Sequence, residues 1–243
     1  MSFQKSIHAD AQATSAACAK HILQQLEKKV AGAGKASLAI SGGTTPKLLF
    51  GEMAKAKFDW SKLHLFWVDE RGVPPTDSQS NYKLAKENLI DAAKLPASNV
   101  HRIQAELAPD VAAKLYADDI AQFFGLAKGA IPKFDIIHRG MGPDAHTASL
   151  FPGEPKIDDH QSVTGAVYVE KFKQWRITLM PGVLEAAHHT VMLVAGDDKA
   201  EPLKEVLFGA YEPKKYPCQT GVRNGQNVIW FLDEAAARLV KDK

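Results

Sequence analysis

Ala36-Ser37-Leu38-Ala39-Ile40-Ser41-Gly42-Gly43-Thr44-Thr45-Pro46 is the stretch on which the fold turns. Its first five residues are small or apolar and have the length of a short buried strand. Gly42 and Gly43 break the run, and Pro46-Lys47-Leu48-Leu49-Phe50 opens a helix, with Thr45 expected as its N-cap and Pro46 in its first turn. Upstream, residues 9–32 carry a helical apolar spacing that ends at Gly32-Ala33-Gly34. Downstream, strands are expected at 63–68, 134–138, 175–180, 190–195 and 227–232. Helices are expected at 81–93, 111–124, 199–209 and 233–240, with a helical turn or two at 183–188. Strands alternating with helices predict an α/β fold, a doubly wound, mostly parallel Rossmann-like sheet flanked by helices, with residues 1–243 as one domain. In such sheets ligands sit beyond the carboxyl ends of the strands, where the polar loops of this chain fall.

Composition narrows the function. Of 243 residues, 30 are Lys or Arg and 28 Asp or Glu, a net charge of +2 with no basic block, so no nucleic-acid partner is expected. The first residues hold no apolar signal core and no run nears the ~18 apolar residues of a membrane span, so no membrane partner is expected either. Two cysteines, Cys18 and Cys218, cannot form a disulfide framework, and the expected compartment is the reducing cytoplasm.

Four loops after strands carry the candidate chemistry. Ser41-Gly42-Gly43-Thr44-Thr45 offers backbone N–H groups, two Thr hydroxyls and a helix N-terminus, a combination suited to a small anion. It matches neither the Walker nor the dinucleotide fingerprint, and a plain strand–helix turn has the same letters. Asp69-Glu70-Arg71 puts a bidentate cation, Arg71, at a strand end, although three charges there also describe a solvated rim. Residues 72–80 then form a loop long enough for a binding role. Gly140-Met141-Gly142-Pro143-Asp144-Ala145-His146 presents a carboxylate and an imidazole two residues apart. No third ligand lies at metal spacing, so His146 reads as a general base or as a helix cap. Gly196-Asp197-Asp198-Lys199 offers one more cation, and Arg176 is a charge inside an expected strand. His138 also lies in an expected strand and reads as a satisfied core or edge residue. No Gly-x-Ser-x-Gly elbow is present.

In this order the motifs resemble the 6-phosphogluconolactonase family, which belongs to a sugar-phosphate superfamily shared with glucosamine-6-phosphate deaminases. The resemblance lies in Ser41-Gly42-Gly43-Thr44-Thr45-Pro46, Asp69-Glu70-Arg71-x-Val73-Pro74 with Ser80-Asn81-Tyr82, the 140–152 loop, Arg176-Ile177-Thr178-Leu179 and Gly196-x-x-Lys199-Ala200. It extends over about residues 37–237. It implies hydrolysis of 6-phospho-D-glucono-1,5-lactone to 6-phosphogluconate in the pentose phosphate pathway, without metal or cofactor, by a chain expected to be a monomer. By the same resemblance His146, with Asp144 and Asp69, forms the catalytic group. Ser41, Gly42, Gly43, Thr44, Thr45, Arg71, Arg176 and Lys199 would hold the phosphate and polarise the lactone. Ala145 stands where the family has Gly; a positive φ there would cost about 1 kcal/mol. Two other readings are a deaminase–isomerase, against which the Thr147–Pro152 stretch and the acidic motif speak, and a non-catalytic sugar-phosphate binder.

Overall fold

The structure is a computed structural model that describes residues 4–241. In chain order its elements are β1 (Gln4–His8), α1 (Ala11–Ala33), β2 (Ala36–Ile40), α2 (Thr44–Ala54), β3 (Leu63–Trp67), β4 (Asp69–Arg71), α3 (Asn81–Ala85), α4 (Asp91–Ala93) and β5 (Val100–His101). They continue as α5 (Pro109–Phe124), β6 (Ile136–Arg139), β7 (Thr164–Val169), β8 (Gln174–Leu179), α6 (Pro181–Ala186), β9 (His189–Val194), α7 (Ala200–Phe208), β10 (Val228–Asp233) and α8 (Glu234–Ala237). A π-helical turn, Lys86–Ile90, joins α3 to α4, so the helix expected at 81–93 exists with a wider, underwound middle. The helix expected at 233–240 is regular only over Glu234–Ala237.

Seven strands form one parallel sheet in the order β1-β10-β9-β6-β2-β3-β5. From β2 the chain first builds outward through β3 to β5. It then returns to the other side of β2 and builds through β6, β9 and β10. The order therefore reverses between β2 and β6, and the loops that leave these two strands must part there and open a crevice. The inner strands are covered on both faces; β2 is buried at every residue. At the opposite end the same two strands are clipped together by Asp135, which accepts from Ser37 N–H at 2.8 Å and Ser37 Oγ at 2.9 Å and pairs with Lys29 Nζ at 2.8 Å.

Four strands, β1, β4, β5 and β7, were not among those expected, and β5 is only Val100–His101. β1 is a polar edge strand, paired to β10 by its backbone and carrying no apolar run. No element was expected over β7, and Asp69–Arg71 was expected as the end of the β3 strand. Both instead join β8 in a small antiparallel sheet, β4-β8-β7, beside the main one. Helix α5 packs on β7, and its Tyr116 Oη donates to the Trp67 carbonyl at 2.7 Å and accepts from Trp67 N–H at 2.8 Å, which ties the two sheets together. No helix among the described residues is long and apolar enough to cross a membrane.

Candidate active site

The loop after β2 works through bare backbone. A Cβ on Gly42 would lie 1.9 Å from Asn81 Oδ1, so only glycine lets the Asn81 side chain in. Asn81 Nδ2 donates to the Asp69 carbonyl at 2.8 Å, while its Oδ1 is buried without a partner, as is Ser41 Oγ. Gly43, at φ 120°, occupies the N-cap of α2 and no side chain caps that helix. Thr45 is therefore not the N-cap expected from sequence. The helix starts two residues earlier than expected, so both threonines lie inside the first turn, beside the uncapped end of the helix.

Along β4 successive side chains alternate in direction. Glu70 is buried and accepts from the N–H groups of Arg71, Asn81 and Tyr82 at 2.8, 2.7 and 2.7 Å and from Ser80 Oγ at 3.0 Å. Burial pushes its carboxyl upward and these four bonds hold it back only in part. Glu70 thus anchors the start of α3 and with it Asn81. Asp69 is buried too and accepts from Ser149 Oγ at 2.6 Å. Arg71 stands directly opposite Arg176 across the β4–β8 ladder. Its Nη1 donates to the Gln79 carbonyl, but the Nε atoms of both arginines are buried and unpartnered. Burial lowers the Arg176 pKa, Asp69 opposes that, and the Arg71 charge lowers it further. Like charges set opposite each other cost stability unless an anion sits between or beside them.

The loop after β6 holds the imidazole. Gly142 N–H donates to the His146 carbonyl at 2.9 Å, and a Cβ on Gly142 would lie 2.0 Å from His146 Nδ1. The Nδ1–Cε1 edge of the ring therefore fills the space that a side chain on Gly142 would take. His146 Nδ1 meets Asp144 Oδ1 at 2.5 Å, and Asp144 Oδ1 also accepts the His146 backbone N–H at 3.2 Å. With Nδ1 engaged, Nε2 is the nitrogen left for chemistry. Burial alone would raise the Asp144 pKa, but the hydrogen bond and charge of His146, with help from Lys171, hold the carboxyl well below the usual range. Phe151 stacks on the imidazole, centroids 4.2 Å apart at 21°. Ala145 (φ 61°) and Ala148 (φ 53°) are both left-handed, so the position where the family has Gly does demand a positive φ here. Each such residue costs about 1–2 kcal/mol, strain that folded structures keep mainly at working sites.

After β9, Gly196 at φ 105° donates its N–H to both Asp233 oxygens, at 3.1 and 3.0 Å, and turns the chain toward α7. Lys199 follows and pairs through Nζ with Asp198 at 2.5 Å.

Ser41, Gly42, Gly43, Thr44, Thr45, Asp69, Arg71, His146, Arg176 and Lys199 all line one cavity of about 240 Å³ at the crevice between β2 and β6. Asp144 does not line it and stands behind His146 as its carboxylate partner. Asn81, Met141, Thr147 and Ala148 also face the cavity and were not among the expected site residues. Asn81 sits within the Ser80-Asn81-Tyr82 motif, which was its only signal. Among the described residues no three His, Cys, Asp or Glu side chains are grouped to hold a metal ion. His138 is not the satisfied residue expected: it is fully buried with both ring nitrogens unpartnered, and burial pushes its pKa down to about 3.

A model of the family "Glucosamine-6-phosphate isomerases/6-phosphogluconolactonase" matches residues 9–230, nearly the whole chain. The chain belongs to this family. Within the family it is 38% identical over 210 residues to the 6-phosphogluconolactonase of Haemophilus influenzae, covering 84% of this chain and 87% of that one. The 6-phosphogluconolactonase of Synechocystis is 34% identical over 218 residues, covering 88% of this chain and 89% of that one. The crystal structure of the Leishmania guyanensis 6-phosphogluconolactonase superposes with a TM-score of 0.88 at 27% identity, over 99% of both chains. The parallel sheet and its flanking helices are thus the architecture of a solved member of the family.

Proposed function

We propose that this chain hydrolyses 6-phospho-D-glucono-1,5-lactone to 6-phosphogluconate, the reaction for which its relatives are named. One observation carries the reading: a carboxylate-held imidazole and two opposed guanidiniums open on the same cavity. In the proposed step a water gives its proton to His146 Nε2 as its oxygen attacks the lactone carbonyl carbon. Asp144 holds the ring by Nδ1 and stabilises the imidazolium that forms. The tetrahedral oxyanion collapses, the bond to the ring oxygen breaks, and that oxygen takes the proton back from His146. The products are a carboxylic acid, ionised at neutral pH, and a hydroxyl.

Arg71 and Arg176 answer the phosphate, and the Ser41–Thr45 loop presents N–H groups and hydroxyls beside them. Lys199 lies near enough to the cavity to share either charge. The charge of Asp69 on the neighbouring strand opposes the burial that lowers the Arg176 pKa. The route needs no metal, because cations and backbone donors of the chain supply the positive charge. A δ-lactone opens slowly in water unaided, so general-base help of about 10²–10⁴-fold plus positioning is sufficient. The same reading places the protein in the cytoplasm as a single-domain monomer acting on a small sugar-phosphate lactone, with no cofactor, nucleic acid or membrane partner. Two free, buried thiols fit a reducing compartment.

The test generates the lactone in situ with glucose-6-phosphate dehydrogenase and follows 6-phosphogluconate above the spontaneous rate. An enzyme-dependent rate is expected, lowered at least about tenfold in kcat by His146→Ala. No rate above background, with 6-phosphogluconate still binding by calorimetry, would make the protein a sugar-phosphate binder instead.

A further inference from the structure

The β7–β8 hairpin belongs to no loop of the parallel sheet, yet its tip leans on the site. Residues Glu170–Phe172 form a tight 3-10 turn and Lys173, left-handed at φ 48°, returns the chain into β8. Phe172 at this tip is 48% exposed, so core burial does not account for an aromatic there. Its contacts do. The ring meets Phe151 edge-on, centroids 5.8 Å apart at 71°, and Phe151 is the ring stacked on His146. The guanidinium of Arg176 lies 5.3 Å over the Phe172 ring. Arg176 Nε has no hydrogen-bond partner, so that aromatic face is a main restraint on where the guanidinium points. The neighbouring Lys171 reaches Asp144 Oδ2 at 3.5 Å, from the same tip to the same dyad.

We propose that Phe172 is a positioning residue for the site: through Phe151 it braces the His146 imidazole, and through its face it aims the Arg176 guanidinium. Phe172 lines no part of the cavity and need not touch substrate. It sits where the base and the anion-binding cation are nearest to sharing one support. The kinetic side of this inference rests on the lactonase reading; the structural side does not.

The experiment compares Phe172→Ala, Phe172→Leu and Phe172→Tyr with the parent, using Tyr168→Ala as a control. Tyr168 is an exposed aromatic on the same hairpin that packs on Trp175. Steady-state kinetics on the phosphorylated lactone, thermal melting and the side-chain NMR signals of His146 without substrate are the readouts. Phe172→Ala is expected to lower kcat and raise KM by about three- to tenfold each, the scale of one aromatic and one cation–π contact. Leucine keeps bulk against Phe151 but offers no π face, so Phe172→Leu recovers kcat and leaves KM raised. Phe172→Tyr recovers both and Tyr168→Ala changes neither. The His146 ring signals move in Phe172→Ala and return in Phe172→Tyr. Parental constants and parental His146 signals in Phe172→Ala overturn the proposal. So do equal losses in the Ala, Leu and Tyr variants together with a lowered melting temperature, which would mark a hairpin that only folds or fails. If the parent itself shows no turnover, the lactonase reading falls and the His146 signals alone decide the brace.

Discussion

The two sheets meet at one cavity and contribute to it in different ways. The parallel sheet supplies backbone: bare glycines at Gly42 and Gly142, an uncapped helix start at Gly43, and left-handed alanines at Ala145 and Ala148. The antiparallel sheet supplies charge: Asp69, Arg71 and Arg176 sit in register on two neighbouring strands. Strands covered on both faces tolerate few charges, so the parallel sheet can act only where its loops emerge. A short sheet at the flank can carry ionised side chains along its length. The loops of the parallel sheet thus bring the base, its carboxylate and Lys199 on a shaped backbone, while the flanking sheet brings Asp69 and the two arginines from its strands, so changes in one should not mimic changes in the other.

Four experiments press on that division. The largest effect is expected for Gly142→Ala. The added Cβ would fall 2.0 Å from His146 Nδ1 and 2.9 Å from Asp144 Oδ1, so the dyad must move. A displacement of about 1 Å lowers kcat by about 10²-fold with little change in KM. Parental kcat would show that the ring does not depend on the backbone beneath it.

Next come Arg71→Ala and Arg176→Ala, which act on charge. Each should raise KM for the phosphorylated lactone by about tenfold or more while leaving KM for glucono-1,5-lactone nearly unchanged. Neither should lower the melting temperature of the free protein, because removing one cation relieves its opposed partner. Equal KM effects on the two substrates would take the phosphate away from these arginines.

A third experiment turns on His138, one of the buried polar residues of the parallel sheet beside Arg139. Its folded pKa is about 3 against 6.5 for an ordinary histidine. Between those values the unfolded chain holds the extra proton and the folded chain does not. Stability is therefore whole above about 6.5 and falls as pH drops toward about 3, by up to ~1.4 kcal/mol per pH unit. Urea melts at neutral and mildly acid pH should show His138→Leu losing less stability on acidification than the parent. Identical losses would move the acid sensitivity elsewhere.

The smallest effect is expected for Ala145→Gly. Relief of left-handed strain, about 1–2 kcal/mol, is opposed by about 0.5–1 kcal/mol of backbone entropy and by the loss of a buried methyl group. Denaturant midpoints should shift by less than about 1 kcal/mol either way, with kcat unchanged. A larger loss would mean that the methyl, packed among Met141, Val194 and Leu203, does more than fill space.

How far each feature could be read from sequence follows from how local its cause is. The turns at Gly42–Gly43, Gly142 and Gly196 were legible because backbone demands are met within a few residues. The pairing of Asp144 with His146 was legible for the same reason: two residues separate them. At Ala145 the motif raised a positive φ only as a condition, and the backbone there is left-handed at φ 61°. The strand β1 was not legible, because it is held by pairing to β10 and carries no apolar run, whereas β7 does carry one, Ala166-Val167-Tyr168-Val169, and it is pairing to β8 that makes it a strand. Glu70 looked like a surface charge in sequence, and its role as the buried acceptor at the start of α3 needed the fold.

The sequence by itself determined the α/β alternation, the glycine turns that end its strands, the Asp144–His146 pair and the family. Only the tertiary structure decided that Arg71 faces Arg176, that Asn81 fills the space above Gly42, and that Phe172 reaches both the base and the guanidinium. The reason is physical. A turn or a helix start is set by torsions and hydrogen bonds among neighbours in the chain. Which side chains converge from distant segments is set by strand order and register, and a slip of one residue in β8 would turn Arg176 to the other face of its sheet.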